Sequence, residues 1–95
     1  MSPIRDNYQF TYISTNTTTQ INNSLPTRLI RIVVGTTAAG SISIYNNISS
    51  DTSNPIATLK SSIVENSYEF GVMCSVGLKI VTAASSLITV VWAVN

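Results

Sequence analysis

The stretch GLKIVTAASSLITVVWAV, Gly77 to Val94, holds two apolar runs separated by Ala83 to Ser86, and its reading decides the fold. A buried helix would repeat its apolar positions every three or four residues. Here Ile88, Val90, Trp92 and Val94 fall on one side of an alternating pattern and Thr89, Val91 and Ala93 on the other, as an extended strand requires. Leu87 to Val94 is also far too short for a membrane span, which needs about 20 apolar residues as a helix. Leu78 to Thr82 therefore reads as one strand, Ala83 to Ser86 as a turn and Leu87 to Val94 as the closing strand.

The same alternation recurs upstream. In YQFTYIS, Tyr8, Phe10 and Tyr12 point one way and Gln9, Thr11 and Ile13 the other. Thr17 to Ile21 reads as a short edge strand, because its threonines favour extended backbone while the surrounding asparagines favour turns. RLIRIVVG, Arg28 to Gly35, is the clearest internal strand, with Ile30, Ile32 and Val34 expected on the core face and Leu29, Arg31 and Val33 opposite. Its two arginines, three apart, are expected on opposite faces. Ile42 and Ile44 point inward in SISIYNN, a loop rich in Asn, Asp and Pro leads to Ile56–Lys60, and Ser61–Asn66 is a connector. Tyr68, Phe70 and Val72 then share a face opposite Glu69 and Gly71, where a glycine inside a strand marks a bulge or a close backbone approach. No helical periodicity persists for ten residues. Seven to eight short strands with turn signals between them predict an all-β fold, a small antiparallel β-sandwich of jelly-roll-like form spanning residues 8–95, preceded by a flexible N-terminal arm, residues 1–7.

Composition narrows the function. A chain of 95 residues fits one domain and buries roughly two thirds of its unfolded surface, so its stability margin is thin. Charged residues make up 9%, against about 25% in an average domain, and the net charge is +1, so no broad field draws in nucleic acid or an anionic membrane. A surface kept wet by hydroxyls and amides costs less to desolvate than a charged one and suits a packed assembly. Residues 1–10 contain no apolar stretch of the kind a secretory signal needs, which points to synthesis inside the cell.

The side chains offer little chemistry. Histidine is absent and Cys74 is the single cysteine, so a metal site or an internal disulfide has no obvious ligand set. Cys74, next to Met73 and without a base, reads as a small buried hydrophobe rather than a nucleophile. Asp6, Asp51, Glu65 and Glu69 are scattered, and the only close pair, Glu65 with Glu69, is separated by the turn formers Asn66 and Ser67. The glycines at 35 and 40 lack the Lys-Ser/Thr of a phosphate loop. Tyr8, Phe10 and Tyr12 have the spacing of a base-stacking stripe but lack a basic track, so core or interface is the better reading. The expectation is no enzyme, no cofactor, no metal, no nucleic acid and no membrane.

The order TRLIRIVVG, GSISIYN, PIATL, YEFGV, GLKIVTA and ITVVW resembles the small β-sandwich domains of tailed-phage virion proteins, found in head decoration and in head-fibre or spike-base proteins. Leu29, Ile32 and Val34 match that family's first strand, Ile44 and Tyr45 the second, and Ile56, Ala57 and Leu59 the third. Tyr68, Phe70 and Val72 match the fourth, Gly77, Leu78 and Val81 the fifth, and Ile88, Thr89, Val90 and Trp92 the last. The match covers residues 27–94 and departs at Asn46, where an acid often follows the second strand. The resemblance implies a structural role on the exterior of a virion. The chain would be a homo-oligomer, a trimer favoured, bound to a major capsid protein or another virion protein; a tail or fibre adaptor and a carbohydrate-binding or adhesion module are the alternatives. It implies no catalytic residue. Apolar residues on both faces of residues 29–34 and 87–94 exceed what a strand buried on one side needs. The candidate interface residues are Ile4 as an arm anchor, with Arg5, Tyr8, Phe10, Tyr12, Arg31 and Trp92.

Overall fold

A computed structural model describes residues 8–22, 26–48 and 52–94; the N-terminal arm, with Ile4 and Arg5, lies outside these described residues. Eight antiparallel strands form two sheets of four. The first contains β1 (Tyr8–Ile13), β3 (Thr27–Thr36), β6 (Ser67–Cys74) and β8 (Leu87–Val94), in the order β1-β8-β3-β6. The second contains β2 (Thr17–Asn22), β4 (Ile42–Tyr45), β5 (Pro55–Leu59) and β7 (Leu78–Thr82), in the order β2-β7-β4-β5. Pairing β1 with β8, β2 with β7, β3 with β6 and β4 with β5 in one long ribbon, and wrapping it so that successive pairs alternate between sheets, yields this order. It is the jelly-roll arrangement of a β-sandwich. The threonine-rich segment forms an edge strand, β2, as its composition predicted.

Between the sheets lies one apolar layer. Ile13, Leu29, Ile32, Val34, Ile88 and Val90 come from the first sheet and Ile42, Ile44, Leu59, Leu78 and Ile80 from the second; Cys74 completes the cluster. Nine of these are fully buried, which the strands achieve by presenting every second residue inward. Trp92 follows Ile88 and Val90 on that inner side, packs against the cluster, and donates its indole N–H to Thr11 Oγ1 at 3.1 Å. That bond joins β1 to β8 below the sheet surface.

The phase of β3 differs from the expected one. Leu29 is buried within the core cluster, and so are Ile32 and Val34, so the alternation slips by one residue at Ile30. Leu29 opposes Trp92 while Arg31 opposes Val91, which makes Ile30 an extra residue relative to β8. On the other side Leu29 opposes Val72 while Arg31 opposes Glu69, so β6 carries one residue more than β3 over the same span. Gly71, at φ 66°, lies in that interval, and its left-handed backbone is the glycine signature of a bulge. The slip also corrects the arginines: with Thr27 and Leu29 inward, Arg28 and Arg31 both emerge on the outer face.

Gly77 answers a different need. A Cβ there would lie 2.6 Å from the Asn22 carbonyl oxygen and 2.6 Å from Ile48 Cγ2, so the approach of the β2 end to the β6–β7 turn depends on a bare Cα. The turn itself is held by Asn46, whose Oδ1 accepts from the N–H of Val76 at 2.9 Å and of Gly77 at 3.2 Å. Gly77→Ala should therefore lower the unfolding free energy in urea by about 1–3 kcal/mol through overpacking. Gly71→Ala, which has open space around the new methyl and only backbone strain to meet, should cost about 1 kcal/mol. Equal effects would remove this distinction.

Candidate interaction face

The two outer surfaces of the sandwich differ in kind. On the second sheet, register places Thr18, Val81, Ser43 and Thr58 in one cross-strand row and Gln20, Lys79, Tyr45 and Pro55 in the next. These side chains close over one another. Gln20 Nε2 lies 3.1 Å from each of the carbonyls of Asn22, Asn47 and Leu78. The Lys79 ammonium sits 4.9 Å from the centroid of the Tyr45 ring, its aliphatic stem covered.

The first sheet presents three rows outward. Tyr8, Ala93, Arg28 and Met73 form one; Phe10, Val91, Arg31 and Glu69 the second; Tyr12, Thr89, Val33 and Ser67 the third. Along β1 the three rings are open to solvent, Phe10 at 74%, Tyr12 at 59% and Tyr8 at 48%, and Met73 on the far edge is 43% exposed. Phe10 has no polar atom to justify that exposure. A contiguous apolar strip on a chain this small marks a contact surface more often than an accident of packing.

At the centre of this face the charges are paired. Arg31 Nε donates to both carboxylate oxygens of Glu69, at 3.0 and 3.2 Å, and the Ser67 hydroxyl donates to the same carboxylate at 2.9 Å. The pair is substantially exposed, so it adds little to stability. Its consequence is that the centre of the face carries opposite charges side by side, which a neighbour can cover without facing a lone ion.

Of the residues singled out from sequence, the structure brings Tyr8, Phe10, Tyr12 and Arg31 onto this one face. Trp92 stands on the opposite side of the sheet, in the interior. Ile4 and Arg5 belong to residues 1–7, outside the described region. Met73 and Arg28 join the face unannounced. Met73 follows from the parity of Glu69 and Gly71, whereas Arg28 becomes visible only once the slip at Ile30 is known.

The reactive groups are employed elsewhere. Glu65 accepts the Thr37 N–H at 3.1 Å and Glu69 holds Arg31, so the two carboxylates serve different partners. Among the described residues no group of three or more His, Cys, Asp or Glu could hold a metal ion. Cys74 is fully buried, and burial pushes its thiol from 9.0 up to about 11. No family model matches the chain, and no curated protein matches it either.

The thiol should resist a soluble disulfide reagent at neutral pH until the chain unfolds. Below pH 9 it is protonated in both states and stability is unaffected. Between pH 9 and about 11 the unfolded chain releases the proton while the folded chain keeps it, so stability falls across that window, by up to about 3 kcal/mol. Urea titrations of wild type and Cys74→Ala should differ by this much in their alkaline slope; parallel slopes would show that the thiol does not titrate with folding.

Proposed function

We propose that the chain is a non-enzymatic structural component of a virus particle. It is a homo-oligomer that decorates or cements the outer capsid surface, with the outer face of the first sheet against a protein neighbour. The observation that carries the proposal is the row of exposed rings on β1 backed by Val91, Val33, Ala93 and Met73. The likeness of residues 27–94 to phage virion domains supports the setting, and jelly rolls are a common capsid architecture, though a fold alone assigns no role.

Magnitudes bear on how the face works. Fully burying an aromatic side chain contributes about 1.5–3 kcal/mol, and each ring here is already partly covered. Three rings therefore supply roughly 3–6 kcal/mol, while association costs an estimated 4–15 kcal/mol of rigid-body freedom. One copy binds weakly by this face. Several copies joined together bind well, because after the first contact the rest are effectively intramolecular.

A carbohydrate-binding module is the second reading, favoured by the solvent exposure of Tyr8 and Tyr12 in a line. Sugar platforms, however, surround their rings with hydrogen-bonding groups that read hydroxyls, and of the residues beside these rings on β8, Ala93, Val91 and Thr89, only Thr89 has a polar side chain.

Particles of the virus that encodes this chain should carry it in numbers comparable to coat subunits. Val33→Lys, on this face between Thr89 and Ser67, should weaken re-attachment to particles stripped of the chain by about tenfold or more. A chain missing from particles, or one retained by a polysaccharide column and released by free sugar, would overturn the proposal in favour of the glycan reading.

A further inference from the structure

The four sheet edges are not equivalent. Strand edges expose unpaired N–H and C=O groups, and proteins blunt them with charge, proline or bulges. β2 has a register break between Gln20 and Asn22, and β5 begins at Pro55 and breaks register against β4. β6 carries Glu69 and the left-handed Gly71. β1 has none of these devices: its six residues are uncharged, contain no proline, and run against β8 in unbroken register from Tyr8–Ala93 to Ile13–Ile88.

The same strand is palindromic in its outward residues, Tyr8-x-Phe10-x-Tyr12. From these two facts we infer that β1 pairs antiparallel with β1 of a second copy about a two-fold axis at Phe10. Tyr8 then faces the partner's Tyr12, and Phe10 faces the partner's Phe10. On the inner side Gln9 faces the partner's Thr11. A register shifted by two residues leaves a tyrosine of each copy without a ring opposite it, so the aromatic pairs select this alignment. Charge is complementary in the simplest sense: a strand with no ionised group meets itself without bringing like charges together, whereas the other edge of the sheet, β6, carries Glu69.

The product is one eight-stranded sheet, β6-β3-β8-β1 continued by the partner's β1-β8-β3-β6, with six rings in a continuous band on its outer side. Because each copy spends the one edge that lacks such a device among the described residues, the contact closes at two copies and does not propagate into a fibre. A two-fold contact does not build the trimer that the family resemblance favoured. This inference rests on the assembly reading and names its first neighbour: the pair presents a doubled aromatic face, which meets the need for joined copies.

The test uses the full chain. At micromolar concentrations light scattering should return twice the 10.2 kDa of one chain. Phe10→Lys, at the most exposed ring, places two ammonium groups opposite each other and should return the monomer with an unchanged circular dichroism spectrum. Phe10→Cys in a Cys74→Ser background should form an intermolecular disulfide under mild oxidation, and Met73→Cys in the same background, on the blunted edge, should not. A wild-type monomer, or a dimer that survives Phe10→Lys and cross-links through Met73→Cys, overturns the inference. Wild-type chains that are monomeric yet still bind particles in a Val33→Lys-sensitive way would overturn only the pairing and leave the assembly reading standing.

Discussion

The register slip at Ile30, where β3 lies between β8 and β6, sets which residues of the first sheet meet the core and which meet the outside, and the character of the outer face follows from it. One extra residue in β3 relative to β8 turns Leu29, Ile32 and Val34 inward together. It also brings Arg31 opposite Glu69, so that the only salt bridge among the described residues lies on the outer surface. Without the slip, strict alternation would either set Leu29 against solvent or set Ile32 against solvent and direct Arg31 toward a core that has no acid to receive it. Gly71 makes the accommodation possible on the β6 side, because its φ of 66° is one that other residues reach only with strain.

A sandwich of this size has one apolar layer, and that layer is complete without the residues of the outer face. The second sheet finishes its outside with Gln20, Lys79 and Tyr45 locked over the backbone, a surface that satisfies itself. The first sheet leaves its rings exposed instead, on an edge strand that itself carries no charge, proline or bulge. Nothing in the stability of the isolated domain requires that choice. It is intelligible as a surface kept for a neighbour, and the low charge of the chain lets such a contact form with little desolvation penalty.

Much of this was legible in the sequence, and the reasons for the exceptions are physical. Alternation and turn signals located most of the strands, and β2 came instead from its threonines, which have the backbone preference for a strand but none of the hydrophobicity. Parity correctly grouped Trp92 with Ile88 and Val90, and also set Tyr8, Phe10 and Tyr12 apart from Ile13. The slip at Ile30 was hidden because residues 29–34 are apolar at five of six positions, and a single polar residue, Arg31, cannot show a change of phase within the run. Gly71 was the one visible flag, and it lies on the neighbouring strand. The pairing of β1 with β8, across almost the whole chain, depends on how the ribbon wraps and leaves no local trace. Nor does the role of Asn46, which stands out in the sequence only as a departure from the resembled family and whose side-chain Oδ1 holds the Val76–Gly77 turn.

Hydroxyl-radical footprinting of the chain free in solution and bound to particles tests the central claim most directly, since aromatic rings and methionine are the side chains that report best. Covering of the first sheet predicts that Tyr8, Phe10, Tyr12 and Met73 lose most of their reactivity on binding while Tyr45, on the other sheet, keeps its own. Unchanged labelling of the β1 rings, with protection confined to the second sheet, would contradict the account.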